Sequence, residues 1–557
     1  MKRYKRVALF IALVLLLFLL KTLAEGKNYS IQKAGDSRAY DSNWNAFVAE
    51  NLNKNAMKIT TNGVELPGVK DAYMSDELEA MIPVRYANEV FDCAAVFYAD
   101  KTLYLERNTD HMEMSLATER KAGLVEKDGK FYVPAKTACE ALNLSYQFDM
   151  DKNSMVVSPK NVGAKSVPYK YDLREQLRNP RVRNQGDLGA CWAFAAVSSL
   201  ESSQLPYDPT VYSVDHMLRN NSFSYDISSG GGYTMGMAYL VNWQGPVKDE
   251  DDSFGDGKTD SSLEAVKHVQ EMRLIAGNDA EAIKKAVYKY GGVQASIYNS
   301  LSNAFSSSEH YNKYNNAYCY IGPNKANHEL VIVGWDDGYS KDNFALKPEG
   351  DGAFICQNSW GTAFGDNGYF YVSYYDSNIK LHTLAITSVE DTDNYDNIYQ
   401  SDLCGWAGQV GFNEPTAYAM NVYEAVGNEM LQAAGFYATG PDTEYKIYLA
   451  KNVSDPKKIK SSELDVLASG KLNEAGYYTI PFDAQSVKAG ERFAIIIKLT
   501  VPNAVHPVAI EYAASEFTKN ADLSDGEGYI GRHGDDWAST EKVNNCNVCL
   551  KVYSKKE

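Results

Sequence analysis

Fourteen uninterrupted apolar residues, 7–20, follow the basic stretch MKRYKR, and KTLAEG comes next with the small Ala24 at a position suited to cleavage. A short apolar run behind a positive segment is the layout of an export signal, whereas a bilayer span needs about 20 residues. Lys21 and Thr22 are poor neighbours for a cleavage site, so an uncleaved anchor stays open; only then do residues 7–20 contact a membrane. Residues 1–24 are therefore a signal peptide or membrane anchor, and either one makes the rest secreted or cell-surface.

Further along, the polar and apolar positions repeat. IPVRYANEVFDCAAVFYAD (82–100) and VPAKTACEALNLSYQFDMD (133–151) align with Pro83/Pro134, Ala87/Ala138, Glu89/Glu140, Phe97/Phe148 and Asp100/Asp151 coincident. Each copy reads as a strand end, a short helix around Ala-x-Glu and then an extended run, which predicts a small duplicated α/β module over 46–160. SPKNVGAKSVP (158–168) has the composition of a linker. WAFAAVSSLESS (192–203) predicts a helix, and ELVIVGW a buried strand. After the acidic connector TSVEDTDNYDNIYQ (387–400) the pattern changes to short alternating runs such as YKIYLAK, GYYTIPFD and ERFAIIIKLTV, separated by Gly, Asp, Asn and Pro. These predict an antiparallel β-sandwich over 400–557.

Length and composition add limits. At 557 residues the chain needs several cores, and 45% hydrophobic with 23% charged residues is ordinary for globular protein. A formal charge of -17 without a basic stripe argues against nucleic acid, whose binding requires clustered Lys and Arg. Eight cysteines are too few for a disulfide scaffold. Cys546 and Cys549 have the gap of a metal knuckle but no second pair, and KDEDDSFGDGKTD lacks the Glu that ends a calcium loop, so no metal and no cofactor is expected.

Chemistry concentrates on three segments. In RNQGDLGACWAF, Gly189 and Ala190 deliver Cys191 to the start of the expected helix, where the dipole favours a thiolate. Taken alone, Cys191 reads as a nucleophile, half of a disulfide or a core thiol, and the usual burial of free cysteine favours the last. NHELVIVGWDD offers His328 at a strand start, and FICQNSWGTAFG offers Asn358 at a strand end to orient an imidazole, with Trp360 to shield that hydrogen bond. Gln185 and the Cys191 N–H are donors suited to an oxyanion.

NQGDLGACWAF, NHELVIVGW and QNSWGTAFGDNGYFYV, in that order, resemble the three signatures of papain-like cysteine peptidases over about 166–385. The resemblance implies a two-lobed α+β peptidase domain with Cys191 as nucleophile, His328 as acid/base, Asn358 as orienter and Gln185 as oxyanion donor. It also implies that Gly231 and Gly232, in SSGGGYTMG, line the path of the substrate backbone, with Trp360 beside them. His328 follows Cys191 by 137 residues, inside the span of roughly 130–150 usual for such pairs. Asn358 lies beyond that span, and DDGYSKDNFALKPEGDG reads as the longer loop responsible. Where relatives carry a bridged cysteine this chain has Leu188, and the helical propeptide of many relatives is replaced by the repeats. The repeats resemble a copper amine oxidase N-terminal-like stalk module, and the C-terminal segment resembles a lectin-like domain. Expected partners are protein or peptide substrates, with cell-wall or glycan contact through the outer modules. The alternative is a surface adhesin or wall-binding protein built on an inactive peptidase scaffold.

Overall fold

The computed structural model describes residues 37–557 apart from 67–68, 119–122, 162, 164, 276 and 525. The export or anchor segment, 1–24, lies outside the described residues. Among those described, no helix is long and apolar enough to cross a membrane.

Helix α1 (Ser37–Leu52) leads into the two repeats. The first runs β1 (Ala80–Pro83), α2 (Ala87–Val90), β2 (Ala94–Phe97) and β3 (Leu103–Arg107). The second runs β4 (Lys130–Pro134), α3 (Ala135–Ala141), β5 (Leu144–Asp149) and β6 (Ser154–Pro159). β1 and β4 pair antiparallel, Ile82 opposite Val133, so the copies share one core containing Val90, Phe91, Ala138 and Leu142.

The central region has two lobes. Helices α4 (Cys191–Gln204) and α5 (Tyr233–Val241) pack around Trp192, Phe194, Leu200, Met217 and Tyr239. The other lobe is a sheet built from β7 (His268–Ile275), β8 (Val293–Ile297), β9 (His328–Asp336), β10 (Ala353–Gln357), β11 (Tyr369–Ser373) and β12 (Thr383–Glu390), with α6 (Ala280–Tyr290) against it. α4 is buried from Cys191 through Ser202. A helix apolar or small on every face belongs inside a protein, and here Ala195 joins the sheet core while Trp192 and Val197 join the helical one. Each large apolar side chain so enclosed contributes about 1.5–3 kcal/mol.

The C-terminal region places β14 (Glu429–Ala438), β16 (Ala475–Val487) and β18 (Leu550–Lys556) over a second sheet containing β13 (Thr416–Glu424), β15 (Thr443–Ala450) and β17 (Arg492–Thr500). Alternating inward residues, Phe436, Ile447, Ile495 and Val552 among them, fill the space between the two. One difference from the sequence reading is topological. β7 pairs with β16, Glu271 opposite Tyr478, so one face of the sandwich continues the central sheet in the order β11-β10-β9-β8-β12-β7-β16-β14-β18. The acidic connector separates the regions in sequence, but backbone hydrogen bonds join them in space.

The repeats, the central sheet and the sandwich also meet at a knot of charges. Arg273 of β7 reaches Glu89 of α2 at 2.8 Å, Glu271 at 2.5 Å and Glu474 at 3.6 Å. Lys289 of α6 bridges to Asp92 at 2.8 Å, and the Tyr290 hydroxyl donates to Glu89. At Arg273, Lys289, Glu89 and Asp92 the opposite charges outweigh the cost of burial, so the two cations are held more basic than usual and the two carboxyls more acidic, whereas at Glu474 burial prevails and raises the carboxyl.

Candidate active site

Cys191 is the first residue of α4. Ala190 precedes it with φ -104° and ψ 1° and gives no side-chain cap, so the first N–H groups of the helix stay available to an anion beside the sulfur. The approach to the helix is fixed by backbone contact. A Cβ on Gly189 would come within 2.6 Å of the Gly230 nitrogen, and Gly230 has φ +79°. A Cβ on Gly231 would meet the Trp192 indole at 2.6 Å, while one on Gly232 would meet nothing within 4 Å. Close packing of Gly189 on Gly230 thus ties the two segments together where Leu188 stands in place of a bridging cysteine. All eight cysteines are free.

His328 opens β9, and Ile297 opposite it on β8 and Val331 opposite Gln357 on β10 fix its strand from both sides. Its Nε2 lies 2.8 Å from Asn358 Oδ1. As drawn, Nε2–H donates to the amide oxygen, which leaves Nδ1 as the nitrogen available to a thiol. Asn358 follows β10 directly; its backbone N–H donates to the Gly368 carbonyl at 2.9 Å, and its Oδ1 also accepts from the Ser359 N–H at 2.8 Å. The Trp360 ring lies 5.2 Å from the imidazole and 5.2 Å from Phe364, so an apolar wall stands beside the imidazole.

Gln185 is tied to the same segment. Its backbone N–H donates to the Ser359 carbonyl at 2.8 Å, and its side-chain Oε1 accepts from the Ser359 hydroxyl at 2.6 Å. One Nε2 hydrogen goes to the Leu188 carbonyl at 2.7 Å. The carboxamide is therefore held at both ends with a second N–H to spare.

Burial decides the resting electrostatics. It pushes the Cys191 thiol up to about 11, against the backbone N–H groups of Glu329, Trp192 and Cys191 itself, which favour the thiolate. It also holds His328 below its usual value, opposed by Asn358. Burial thus opposes the charged form of both groups, while the helix-start N–H groups favour the thiolate and Asn358 the protonated imidazole.

Residues 167–389 match the family model "Papain family cysteine protease", and residues 398–554 match "Lectin like domain". The chain carries a papain-family cysteine protease domain. Mouse pro-cathepsin H is 29% identical over 225 residues, 38% of this chain and 61% of that protein. Mouse cathepsin K is 26% identical over 210 residues, 36% of this chain and 59% of that protein. The chain thus spans about three fifths of the length of these curated relatives. The protease–lectin-like pairing itself recurs in solved structures. The clostridial cysteine protease Cwp84 after propeptide cleavage has TM-score 0.62 and 25% identity, covering 70% of this chain and 99% of that one. A second structure, of the cysteine protease and lectin-like domains of Cwp84, described as a surface layer associated protein of Clostridium difficile, has TM-score 0.61 and 25% identity over 70% of this chain and 89% of that one.

Within the protease domain the structure brings Gln185, Ser359, Asn358 and His328 into one hydrogen-bonded group with Trp360 against the imidazole, Cys191 at the helix start and Gly231 packed on its neighbour Trp192. Sequence reasoning passed over two residues. Ser359 orients Gln185, a role signalled only by its place between Asn358 and Trp360. Glu329, next to His328, is a buried carboxyl that burial pushes up to about 7; the signal was a polar residue inside an otherwise apolar strand.

Proposed function

We propose that this chain is an exported cysteine peptidase that hydrolyses peptide bonds through Cys191, His328 and Asn358, with Gln185 as oxyanion donor. The observation that carries this reading is the continuous chain Leu188–Gln185–Ser359–Asn358–His328, which fixes a base and an oxyanion donor in one network, with Cys191 three residues after Leu188 at the helix start. Substrate backbone runs along Gly231 and Gly232, with open space over Gly232. The sulfur attacks the carbonyl carbon as His328 Nδ1 takes the thiol proton. The negative oxygen accepts hydrogen bonds from the spare Gln185 N–H and the Cys191 backbone N–H. His328 then returns the proton to the leaving amine and activates water against the thioester. Asn358 keeps the ring in place throughout, and Trp360 shelters its bond from solvent.

The sequence of the export segment and the surface-associated Cwp84 support a location outside the cytoplasm, released or held at the cell surface. The lectin-like domain supports contact with glycan or cell wall at that surface. Replacing Cys191 by Ala is expected to abolish hydrolysis of a casein or peptide substrate while leaving circular dichroism unchanged. Turnover by the folded variant would end the nucleophile assignment, and a wild-type protein that neither cleaves nor reacts with a cysteine-directed epoxide would favour the adhesin.

A further inference from the structure

Far from the cleft, Lys551 and Asp402 face each other with no exposed surface on either side chain. Lys551 lies on β18 between Leu550 and Val552, which enter the sandwich core. Successive strand residues face opposite sides, so Lys551 turns away from that core, as does Gly435 opposite it on β14. On that side Cys549 and Tyr437 join the core of the helical lobe, so the pair sits at the seam between protease and sandwich. Asp402 enters the seam two residues beyond the acidic connector, and its backbone is held on both sides. The Asn242 amide donates to the carbonyls of Asp402 at 3.1 Å and Leu403 at 2.7 Å, and the Asn547 amide to that of Ser401 at 2.8 Å. Glu511, at the end of the strand Val508–Glu511, accepts from the Cys404 N–H at 2.5 Å and from Asn547 at 2.7 Å. Asn547 precedes Lys551 by four residues, so these bonds tie the two segments to each other beside the pair.

Lys551 Nζ lies 2.5 Å from Asp402 Oδ1. Other buried lysines meet two carboxylates: Lys284 reaches Glu281 and Asp337, and Lys289 reaches Asp92 and Glu89. Lys551 has, among the described residues, this one hydrogen-bonding partner for three N–H donors. Asp402 Oδ2 is as poorly served. Its own backbone N–H and the weakly donating Cys549 thiol lie beside the carboxyl, but neither meets Oδ2 at hydrogen-bonding geometry. The Tyr437 hydroxyl near Asp402 is also buried and unpartnered. Two charges so thinly solvated are costly, and burial pushes the Asp402 carboxyl up toward its neutral form.

We infer that the side chains of Lys551 and Asp402 become joined by an amide bond. Proton transfer from the ammonium to the carboxylate gives an amine and a carboxylic acid. Nζ attacks Cγ, the N–C bond forms and the Cγ–Oδ2 bond breaks. The departing hydroxyl takes an amine proton and leaves as water, so atoms and charge balance with no other reagent. Fixed placement of both segments supplies the proximity that such a condensation lacks in solution, and enclosure withholds the water that would reverse it. The product puts one uncharged group where two buried charges stood. It also ties the entry of the sandwich to its last strand in a chain whose eight cysteines are all free. Force arriving through the connector then passes to β18 without unfolding the strands between.

The test is tryptic peptide mapping of the purified full chain by mass spectrometry, with fragmentation to locate any branch. The expected result, in most chains, is a branched peptide that joins the Asp402 and Lys551 segments and is lighter than their sum by one water. Trypsin is expected not to cut after Lys551 in those chains. Asp402→Ala and Lys551→Arg are expected to lose the branch and to yield both segments as linear peptides. Linear peptides cut after Lys551 in most wild-type chains would overturn the assignment, and that measurement holds whether or not either variant folds. A branch that joins Lys551 to another carboxyl, such as Glu511, or that persists in Lys551→Arg, would overturn it as well.

Discussion

The cleft and the charge knot both bury ionisable groups, and they handle the cost differently. In the knot, Arg273 and Lys289 are surrounded by Glu89, Glu271, Glu474 and Asp92, so every charge has an opposite partner, all but Glu271 of Arg273's own strand drawn from a different part of the chain. In the cleft, Cys191, His328 and Glu329 are buried without such partners, and burial pushes each toward its neutral form. Fixed dipoles do the holding there: the Asn358 amide, the Gln185 carboxamide and backbone N–H groups. Paired charges make a joint that resists rearrangement. Unpaired groups oriented by dipoles can change charge when a substrate supplies the missing interaction, which catalysis requires.

The contrast can be broken most severely at Arg273. Arg273→Ala leaves Glu89, Glu271 and Glu474 half-buried together without their guanidinium, and a loss of about 3 kcal/mol, the low end for breaking a buried pair, is expected. Thermal unfolding by calorimetry checks it, and a melting profile unchanged from wild type would mean that the knot adds nothing to the joint. Next in size is Gln185→Ala, which removes an oxyanion donor but no charge. A fall in kcat of about 10²–10³-fold is expected with the melting profile kept, and a change confined to KM would place Gln185 outside the oxyanion site.

Ser359→Ala sharpens the point that the cleft works by orientation. The donor remains but one of its two tethers goes, so kcat is expected to drop by about 10-fold, less than for Gln185→Ala; equal losses would mean that Ser359 contributes more than a tether. The smallest effect is on pH. Burial lowers the His328 value below 6.5, so its neutral, proton-accepting form persists to lower pH than in an ordinary histidine. The acid limb of kcat/KM is therefore expected below pH 6.5, and a limb at or above that value would contradict the account of burial.

The cleft was far more legible in the sequence than the joint, for a physical reason. Gln185, Cys191, His328, Asn358 and Trp360 each sit in a short segment whose glycines, helix start or strand end mark them locally. The strand–helix–strand order of the repeats is equally local, carried by alternation and by the Ala-x-Glu turn. The pairing of β7 with β16 has no local mark, because either strand would alternate identically at a free edge. Arg273, Glu89 and Glu474 carry no local mark either, since only the meeting of three distant segments brings them together. Glu329 fell between these cases: its position beside His328 was visible, but its partners Ser296 and Tyr233 come from other elements.

The central claim is that one of eight free, buried thiols is poised to react. Treating the full chain with a cysteine-directed epoxide under reducing conditions, followed by peptide mapping, tests it directly. One label per chain, located on Cys191 and appearing in step with loss of peptidase activity, is the expected result. Absence of label, or label on other cysteines while hydrolysis continues, would contradict it.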